Sequence, residues 1–506
     1  MEKTRNQALA VNKNRLRMPL GEERVSFYTC YLILCGLVVG LSVSWISSVS
    51  SGLSTGVLAT FFLNGILALF SLFSVTRAFP FSLAQFHWLF YLVFFFLAPL
   101  QQYCNGYWPW NLITDDSELL TTNLILFGWG ACFNAGTFVG ESRNMNRLDR
   151  DQKQGIALCL SDARLAILLL LSFACVGYLI ATTGLEGLLS RAAQDGDAST
   201  TLGLINSVVM KAIPLFCFVL FIVGYVETHR GVLALLVSGA LVLIACSPTG
   251  SARFMVAGVY LGLVLLLLEY IRCPKGFTSL VVIMGIAIAF PIIDLFRYYS
   301  FETAVVRLIE NPFGALSNGF LSGNFDAYSM LIQVEHYVSS FGHANGFQEL
   351  GALLFFVPRA IWPGKPTITG PMVFEAFNKP FTNVSTSIPA EAYVDFGVAG
   401  VLLVGFFLGL ICSRTDLSYW KACREEQVSF IRLYYPFLLP LFFFTMRGSL
   451  MAGLPYVVGF GVVCAILVKL FHARSSKNEF VIAFLGHYRG QPHSHHARLR
   501  SQRKSS

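Results

Sequence analysis

The amino-acid sequence predicts an all-α, polytopic integral membrane protein with about twelve transmembrane helices and one large extracytoplasmic loop. Of its 506 residues, 55% are hydrophobic and only 13% are charged, whereas soluble proteins carry roughly 25% charged residues. The mean hydropathy is +0.63, and apolar runs of about 20 residues recur along the chain. Because a helix satisfies its own backbone hydrogen bonds in lipid while an open sheet cannot, helices alone are expected.

The apolar runs divide the chain into five regions. A basic N-terminus at 1–27 precedes a nine-helix membrane region at 28–296 and a large loop at 297–395. A three-helix membrane region at 396–471 and a basic tail at 472–506 follow. The predicted spans are 28–47, 54–76, 80–100, 119–140, 164–183, 207–226, 231–247, 254–271, 278–296, 396–413, 431–446 and 452–471.

The distribution of charge predicts the orientation of these spans. With the N-terminus in the cytoplasm, the segments on that side hold 27 of the 36 Lys and Arg residues but 13 of the 28 acidic residues. This positive-inside bias places both termini in the cytoplasm and the large loop outside. The net charge of +8 is therefore explained by the excess of cations on the cytoplasmic side of the membrane, and no nucleic-acid partner is expected. His493, His495 and His496 in the basic tail could bind a metal, but a solvated tail near anionic headgroups is the favoured interpretation.

The cysteines do not indicate a disulfide framework. Nearly all twelve lie in apolar runs or on the predicted cytoplasmic side, and Cys104 alone falls clearly in an outer loop.

The large loop contains three segments with readable patterns. Phe320 to Ser340 has helical periodicity, and Gly351 to Val357 is apolar but too short to span, so it should dip into the interface or pack on the bundle. Val357 to Gly370, VPRAIWPGKPTITG, combines three prolines and two glycines with two cations. Proline fixes φ and glycine permits positive φ, so a rigid, non-helical loop is predicted.

Five cations on the predicted outer side form a candidate anion site. Any one of them could be solvated, could snorkel to headgroups, or could pair locally, as Asp294 and Arg297 could at i,i+3. That side carries net negative charge, so a cluster of cations at one mouth of the bundle favours a bound phosphate or diphosphate, which guanidinium groups bind well. The five are Arg253, Arg297, Arg359, Lys365 and Arg447.

Candidate proton acceptors share the same loop. A lone histidine is usually structural and acids in loops are usually solvated, but His336 and Glu391 are the best placed to approach the arginines. The chain contains no HExxH, no Walker loop and no GxGxxG after a strand, so no cofactor, nucleotide or metal is predicted. The full set of candidate bases is Asp326, Glu335, His336, Glu391 and Asp395.

Two stretches resemble a known family. FFVPRAIWPGKPTITG and, further on, SIPAEAYVDFGVAGVLLVGFFLGL are similar to sequences of the O-antigen polymerase (Wzy-type) family, oligosaccharide repeat-unit polymerases with many helices and one large late loop. A feature of that family, an arginine and a glycine with ten residues between them, is matched by Arg359 and Gly370. Arg447 has no such glycine, since Gly459 lies one position too far.

The resemblance implies a glycosyltransferase that acts on undecaprenyl-diphosphate-linked oligosaccharides at the outer face of a bacterial inner membrane. The five cations, Arg359 foremost, would stabilise the leaving diphosphate, and a base among His336, Glu391 and Asp326 would take the acceptor proton. The implied partners are the lipid-linked oligosaccharide, the bilayer and a candidate chain-length regulator protein.

Two alternatives remain open on the sequence. An O-antigen ligase, or another transferase of lipid-linked sugars, would share this architecture and differ in its acceptor. A transporter or flippase usually carries ionisable residues at mid-membrane and often shows internal repeats. The charges of this chain gather at the outer boundary and no repeat is evident, which favours chemistry at the surface over passage.

Overall fold

The computed structural model describes residues 20–49, 52–145, 162–189, 203, 205–228, 231–270, 275–286, 301–310, 319–424 and 429–470. Within these residues every regular element is a helix, so the all-α class is confirmed. Residues 1–19 of the predicted N-terminal segment 1–27 and the whole predicted tail 472–506, with its histidines, lie outside the described residues.

In the N-terminal part of the chain, described helices overlap the first eight predicted spans, whereas residues 287–296 of the predicted ninth span lie outside the described residues. α3 contains a π-helical turn at Val93–Leu97, and a second π-helical turn at Asn206–Met210 precedes α6. The helices are α1 (Leu20–Ser47), α2 (Thr55–Ala78), α3 (Leu83–Cys104), α4 (Asp116–Met145), α5 (Asp162–Leu189), α6 (Lys211–Thr228), α7 (Val232–Ala245), α8 (Arg253–Tyr270), α9 (Phe277–Met284) and α10 (Phe301–Glu310).

The C-terminal part alternates short helices with three long ones. The helix predicted over Phe320 to Ser340 is present, but two 3-10 turns at Gly319–Leu321 and Gly323–Phe325 precede its α-helical part. The helices are α11 (Ala327–Phe341), α12 (Phe347–Leu353), α13 (Thr369–Ala376), α14 (Ile388–Arg424), α15 (Phe430–Gly448) and α16 (Leu450–Leu470).

Seven described helices are long and apolar enough to cross a membrane, which makes this a helical membrane protein. α3 is buried at every residue except the partly buried Tyr103, so it forms the centre of the bundle rather than a lipid-facing surface. The seven segments are Ser26–Ser47, Thr55–Ala78, Leu83–Cys104, Ala163–Leu189, Asn206–Val226, Ile388–Arg424 and Leu450–Leu470.

Glycines allow α4 and α14 to approach each other closely. A Cβ added at Gly136 would lie 2.0 Å from the Phe406 carbonyl oxygen, and one at Gly409 would lie 2.1 Å from the Phe133 carbonyl oxygen. Gly136 and Gly140 on α4, like Gly405 and Gly409 on α14, are four residues apart. Such small-residue pairs let backbones touch where lipid supplies no hydrophobic driving force between helices.

Replacing Gly136 with alanine is expected to destabilise the protein by about 1–3 kcal/mol, because the new methyl group forces two backbones apart. Thermal unfolding of the purified protein in detergent measures this loss. Gly177→Ala on α5 is the matched control, since an added Cβ there meets nothing within 4 Å. Equal melting temperatures for the two variants would contradict the close contact of α4 and α14.

The buried hydrophobic residues form two clusters, and α8 and α15 contribute to both. The first surrounds α3 and includes parts of α2, α4, α11 and α14. The second joins α5, α6, α7, α8 and α16. α15 contributes Leu439 and Phe443 to the first cluster and Phe437 and Leu441 to the second, so it connects the two halves of the bundle.

The segment 319–387 covers one end of the bundle, which we call the loop end. α3, α15 and the connection before α4 reach this end, while α14 and α16 begin there. α14 bends at Gly397 (φ 63°), which separates a short first part from the long apolar part. Positive φ is readily available to glycine, so this residue permits the bend.

Candidate anion and acid–base sites at the loop end

Val357 to Gly370, called the cation loop, is non-helical up to α13, as the prolines predict. The Arg359 Nη1 donates to the Lys365 carbonyl oxygen at 2.7 Å, and Nη2 donates to the Pro366 carbonyl oxygen at 3.1 Å. The Lys365 Nζ donates to the carbonyl oxygens of Phe355 and Val357 at 2.6 and 3.1 Å. The two cations therefore stabilise the loop that carries them.

These hydrogen bonds position the two charges but do not neutralise them. In the described part of the chain, no carboxylate forms an ion pair with Arg359 or Lys365. Partial burial and, secondly, the charge of Arg359 lower the pKa of Lys365. Two cations held close together without an acid create a positive potential that an anion relieves.

Arg447 at the end of α15 forms an ion pair with a buried acid. Its Nη2 donates to Asp326 Oδ1 at 2.9 Å and to the Gly323 carbonyl oxygen at 3.0 Å. The indole Nε1 of Trp110 donates to Asp326 Oδ2 at 2.9 Å, and Trp110 adopts a left-handed φ of 64° that a bulky residue rarely adopts. Asp326 is fully buried and each of its oxygens accepts a hydrogen bond, so it connects α11 to α15 and is poorly accessible to an acceptor hydroxyl.

Glu391 also accepts hydrogen bonds on both of its carboxylate oxygens. Its Oε1 accepts hydrogen bonds from the Ser449 hydroxyl at 2.5 Å and the Thr369 hydroxyl at 3.2 Å, and its Oε2 accepts one from the Leu450 backbone N–H at 2.7 Å. Ser449 lies in the turn between α15 and α16, where its φ is 83°. Glu391 thus joins the first residue of α13 to this turn.

These contacts connect the segments that carry four sequence-predicted residues. Arg447 and Ser449 are two residues apart, and Lys365 precedes Thr369 by four. Arg359, Lys365, Glu391 and Arg447 are therefore linked through the cation loop and the α15–α16 turn. The Arg447 Nε is buried and has no hydrogen-bond partner in the described residues, so this guanidinium keeps an unused donor.

Asp395 has a structural role. Its two oxygens accept hydrogen bonds from the backbone N–H groups of Gln348 at 3.2 Å and Glu349 at 2.8 Å. These are orphan donors in the first turn of α12, so Asp395 holds that helix on α14.

A separate acid–base cluster lies where α11 meets the start of α4. The His336 Nε2 lies 2.8 Å from Glu118 Oε1, and both side chains are about one third exposed. The Thr122 hydroxyl donates to the two oxygens of Glu335 at 3.1 and 3.2 Å. Burial raises the pKa of Glu335 to about 7; the Thr122 hydrogen bond opposes this shift, and the Glu118 charge adds to it.

Glu335 and His336 do not lie beside the ion pair of Arg447 and Asp326. Glu335 follows Asp326 by nine positions, which corresponds to about 14 Å along the axis of α11 at 1.5 Å per residue. The expected single cluster of bases and cations is thus resolved into two sites, one at the start of α11 and one near its middle.

Of the remaining cations, Arg253 begins α8 and Arg297 lies outside the described residues. Phe254 contacts Tyr456 of α16 with ring centroids 4.7 Å apart, so the start of α8 belongs to the loop end. Beside it, the Lys211 Nζ donates to the Ser251 hydroxyl at 3.1 Å. Lys211 was not predicted from the sequence, although a cation inside an apolar run is itself a signal of function.

Glu349 was also not predicted from the sequence, because only the packing shows that its carboxylate is buried. Both carboxylate oxygens of Glu349 are buried and have no hydrogen-bond partner among the described residues. Burying an acid without donors costs free energy. Glu349 is therefore a candidate for holding a donor group of a ligand.

Gly370 is required by close packing at the end of the cation loop. An added Cβ would lie 2.5 Å from the Val384 carbonyl oxygen and 2.9 Å from the Thr386 Oγ1. We expect Gly370→Ala to lower the stability by about 1–3 kcal/mol. Gly364→Ala in the same loop is the control, because nothing lies within 4 Å of its added Cβ. Melting curves that do not distinguish the two variants would rule out this account of the glycine.

Together, the fold and these sites define a class: a helical membrane protein that carries a rigid loop with two cations lacking an acidic partner among the described residues, and a buried acid at a separate site. Comparison of the chain with protein-family models, characterised proteins and solved structures finds no match.

Proposed function

We propose that this chain is a membrane glycosyltransferase that polymerises undecaprenyl-diphosphate-linked oligosaccharide repeat units, as in O-antigen or a similar surface polysaccharide. In this proposal twelve spans cross a bacterial inner membrane, both termini are cytoplasmic and the loop end faces the periplasm. The observation that carries the proposal is the cation loop, in which Arg359 and Lys365 are held by carbonyl groups and, among the described residues, lack an acidic partner. Its spacing from Arg359 to Gly370 is the feature shared with Wzy-type polymerases.

The reaction assigned to the site is a displacement at the anomeric carbon of the growing chain. The acceptor hydroxyl of an incoming lipid-linked unit forms a new glycosidic bond as the bond from the anomeric carbon to the diphosphate oxygen breaks. The lipid diphosphate leaves with the electron pair, and the hydroxyl proton passes to a base. Arg359, Lys365 and the unused donor of Arg447 would stabilise the charge that develops on the diphosphate.

Among the candidate bases, Glu335 fits the proton-transfer role best. Asp326, Glu391 and Asp395 each accept hydrogen bonds from at least two different donors of the protein itself, whereas the two oxygens of Glu335 share one hydroxyl donor. Glu335 accepts hydrogen bonds only from Thr122 among the contacts described, and its pKa of about 7 lies near the pH at which a general base works best. The proton can then pass from Glu335 to the neighbouring pair of His336 and Glu118. A substrate that spans roughly 14 Å along α11 would reach both sites.

Deletion of the gene tests the proposal. A polymerase-null strain should make surface polysaccharide with one repeat unit on each lipid core. Accumulation of lipid-linked polymer with none attached to the core would instead identify a ligase. Long polysaccharide chains that persist on the core would exclude both.

The role of Arg359 is tested by two substitutions. We expect Arg359→Ala and Arg359→Lys both to abolish polymerisation, because one ammonium cannot reproduce a fork that donates to two carbonyl oxygens and also binds phosphate. Polysaccharide length on gels is the measurement, and the amount of inserted, folded protein is the control. Full activity of the lysine variant would show that the guanidinium geometry is unnecessary, and an active alanine variant would remove Arg359 from the site.

A further inference from the structure

Large apolar side chains project from one face of α12 and the turn that follows it. Their exposed fractions are 41% for Phe347, 44% for Leu350, 67% for Leu353, 64% for Phe356 and 76% for Ile361. Consecutive members of the first four are three residues apart, so each lies beside the next along α12 and the turn that follows it. These five residues are called the outer stripe. A contiguous apolar surface of this kind on a folded protein indicates a binding surface.

The outer stripe is presented rigidly, because the opposite face of α12 is fixed to the bundle. Gln348, Gly351 and Ala352 are buried. A Cβ added at Gly351 would lie 2.4 Å from Pro366 Cγ and 2.7 Å from Met451 Cε, so α12 packs directly on the cation loop and on α16. The exposure of the stripe therefore follows from tertiary packing and not from a loose segment.

The helix lies at the same level as the apolar surface of a span. An added Cβ at Gly346, which precedes α12, would lie 2.7 Å from the Phe396 ring. Phe396 is itself 52% exposed, and along α14 it is followed by Val398, Leu403 and Phe407, which are 45%, 59% and 54% exposed. The stripe thus continues the apolar outer surface of a helix that is long enough to cross the bilayer.

Charge and aromatic residues beside the stripe suit a headgroup region. Trp362 contacts Phe347 edge to face with ring centroids 5.7 Å apart, and the exposed Arg359 lies three residues before it. Tryptophan is enriched at membrane interfaces, and cations beside an apolar face bind anionic headgroups.

We propose that the outer stripe is inserted in the bilayer leaflet at the loop end, as an interfacial anchor made of α12 and its following turn. The acyl chains of phospholipids cover Leu353, Phe356 and Ile361. Because α12 packs against Pro366, the anchor holds the cation loop at the depth of the lipid phosphates. This inference concerns the position of the loop in the membrane and does not depend on the proposed sugar chemistry.

Photo-crosslinking in the intact protein tests the anchor. A benzophenone amino acid is introduced separately at Leu353 and at Phe356, and the protein is reconstituted in vesicles of phosphatidylethanolamine and phosphatidylglycerol. After irradiation, mass spectrometry should find a gain of one phospholipid mass at both positions. Val462 of α16, which is 50% exposed on a span, is the positive control, and the exposed Glu375 of α13 is the negative control.

Each other outcome overturns the proposal. Lipid adducts at Val462 but not at Leu353 or Phe356 would show that the stripe faces water. A covalent dimer in place of a lipid adduct would show that a second copy of the chain covers it. Adducts of equal yield at Glu375 would show that the stripe lies no deeper in lipid than an exposed polar position, which contradicts insertion. Melting temperatures equal to that of the parent protein confirm that each labelled variant is folded.

Discussion

Replacing Arg447 with alanine is expected to cause the largest loss of stability of any single substitution at the loop end. Asp326 would then stay buried without its ion-pair partner, and removal of one partner from a buried pair costs about 3–5 kcal/mol. The Arg447 side chain is 25% exposed, whereas that of Asp326 is 1% exposed, so solvent can compensate the arginine more easily than the acid. Thermal unfolding in detergent should show a large fall in melting temperature, with reduced yield of folded protein.

A double-mutant cycle identifies the cause of this loss. With Asp326→Asn already in place, Arg447→Ala should cost clearly less than it does alone, because no charge is left unpaired. Additive effects of the two substitutions would mean that the ion pair does not stabilise the fold.

The variant Arg447→Lys separates stability from function. One arginine nitrogen, Nη2, makes both hydrogen bonds to Gly323 and Asp326, so an ammonium group can replace much of this contact. We expect Arg447→Lys to retain most of the stability and to lose polymerisation, because the buried Nε donor is absent. Retained polymerisation would assign Arg447 a structural role alone.

Replacing Glu335 with glutamine is expected to lower the polymerisation rate by about 10²–10⁴-fold, the contribution of a general base. A base must be deprotonated, so the rate of the parent protein should rise with pH and level off above about 7, where Glu335 ionises. The rate of the glutamine variant should lack this rise. Rates of lipid-linked oligosaccharide polymerisation in vesicles across this pH range are the measurement.

The stability of the protein should change with pH in the opposite direction. The pKa of Glu335 in the folded protein, about 7, lies above its ordinary value of 4.5. Between these values the unfolded chain loses the proton and the folded protein keeps it, so stability falls as pH rises through this window and then stays constant. Glu335→Gln should therefore be more stable than the parent protein above pH 7.

A matched variant controls for the loss of an acid in this loop. Glu375 is exposed on α13 and takes no part in either site, so Glu375→Gln should leave both pH profiles unchanged. A pH profile of the rate that remains unchanged in Glu335→Gln would exclude Glu335 as the base. His336 and Glu118 would then be the next residues to replace.

Whether the candidate residues would form one cluster was not predictable from their spacing. Asp326 and His336 both lie in the segment with helical periodicity, and both were candidate bases. His336 follows Asp326 by ten positions, which corresponds to about 15 Å along the axis of α11 at 1.5 Å per residue, so the helix keeps the two residues apart. The ion pair between Asp326 and Arg447 joins residues 121 positions apart, and local sequence pattern carries no information about such a pairing.

Local composition was enough to predict the helical membrane class, the positions of most helices and the non-helical character of the cation loop. These properties are local, because lipid requires apolar helices and proline prevents their continuation. Only the tertiary structure shows which charged groups already have hydrogen-bond or ion-pair partners within the protein. Arg359 and Lys365 bind carbonyl oxygens, Asp326 binds Arg447, and Glu335 is buried beside Thr122. The physical reason is that burial and hydrogen bonding depend on neighbours from distant parts of the chain, and these set the charge and the pKa of each group.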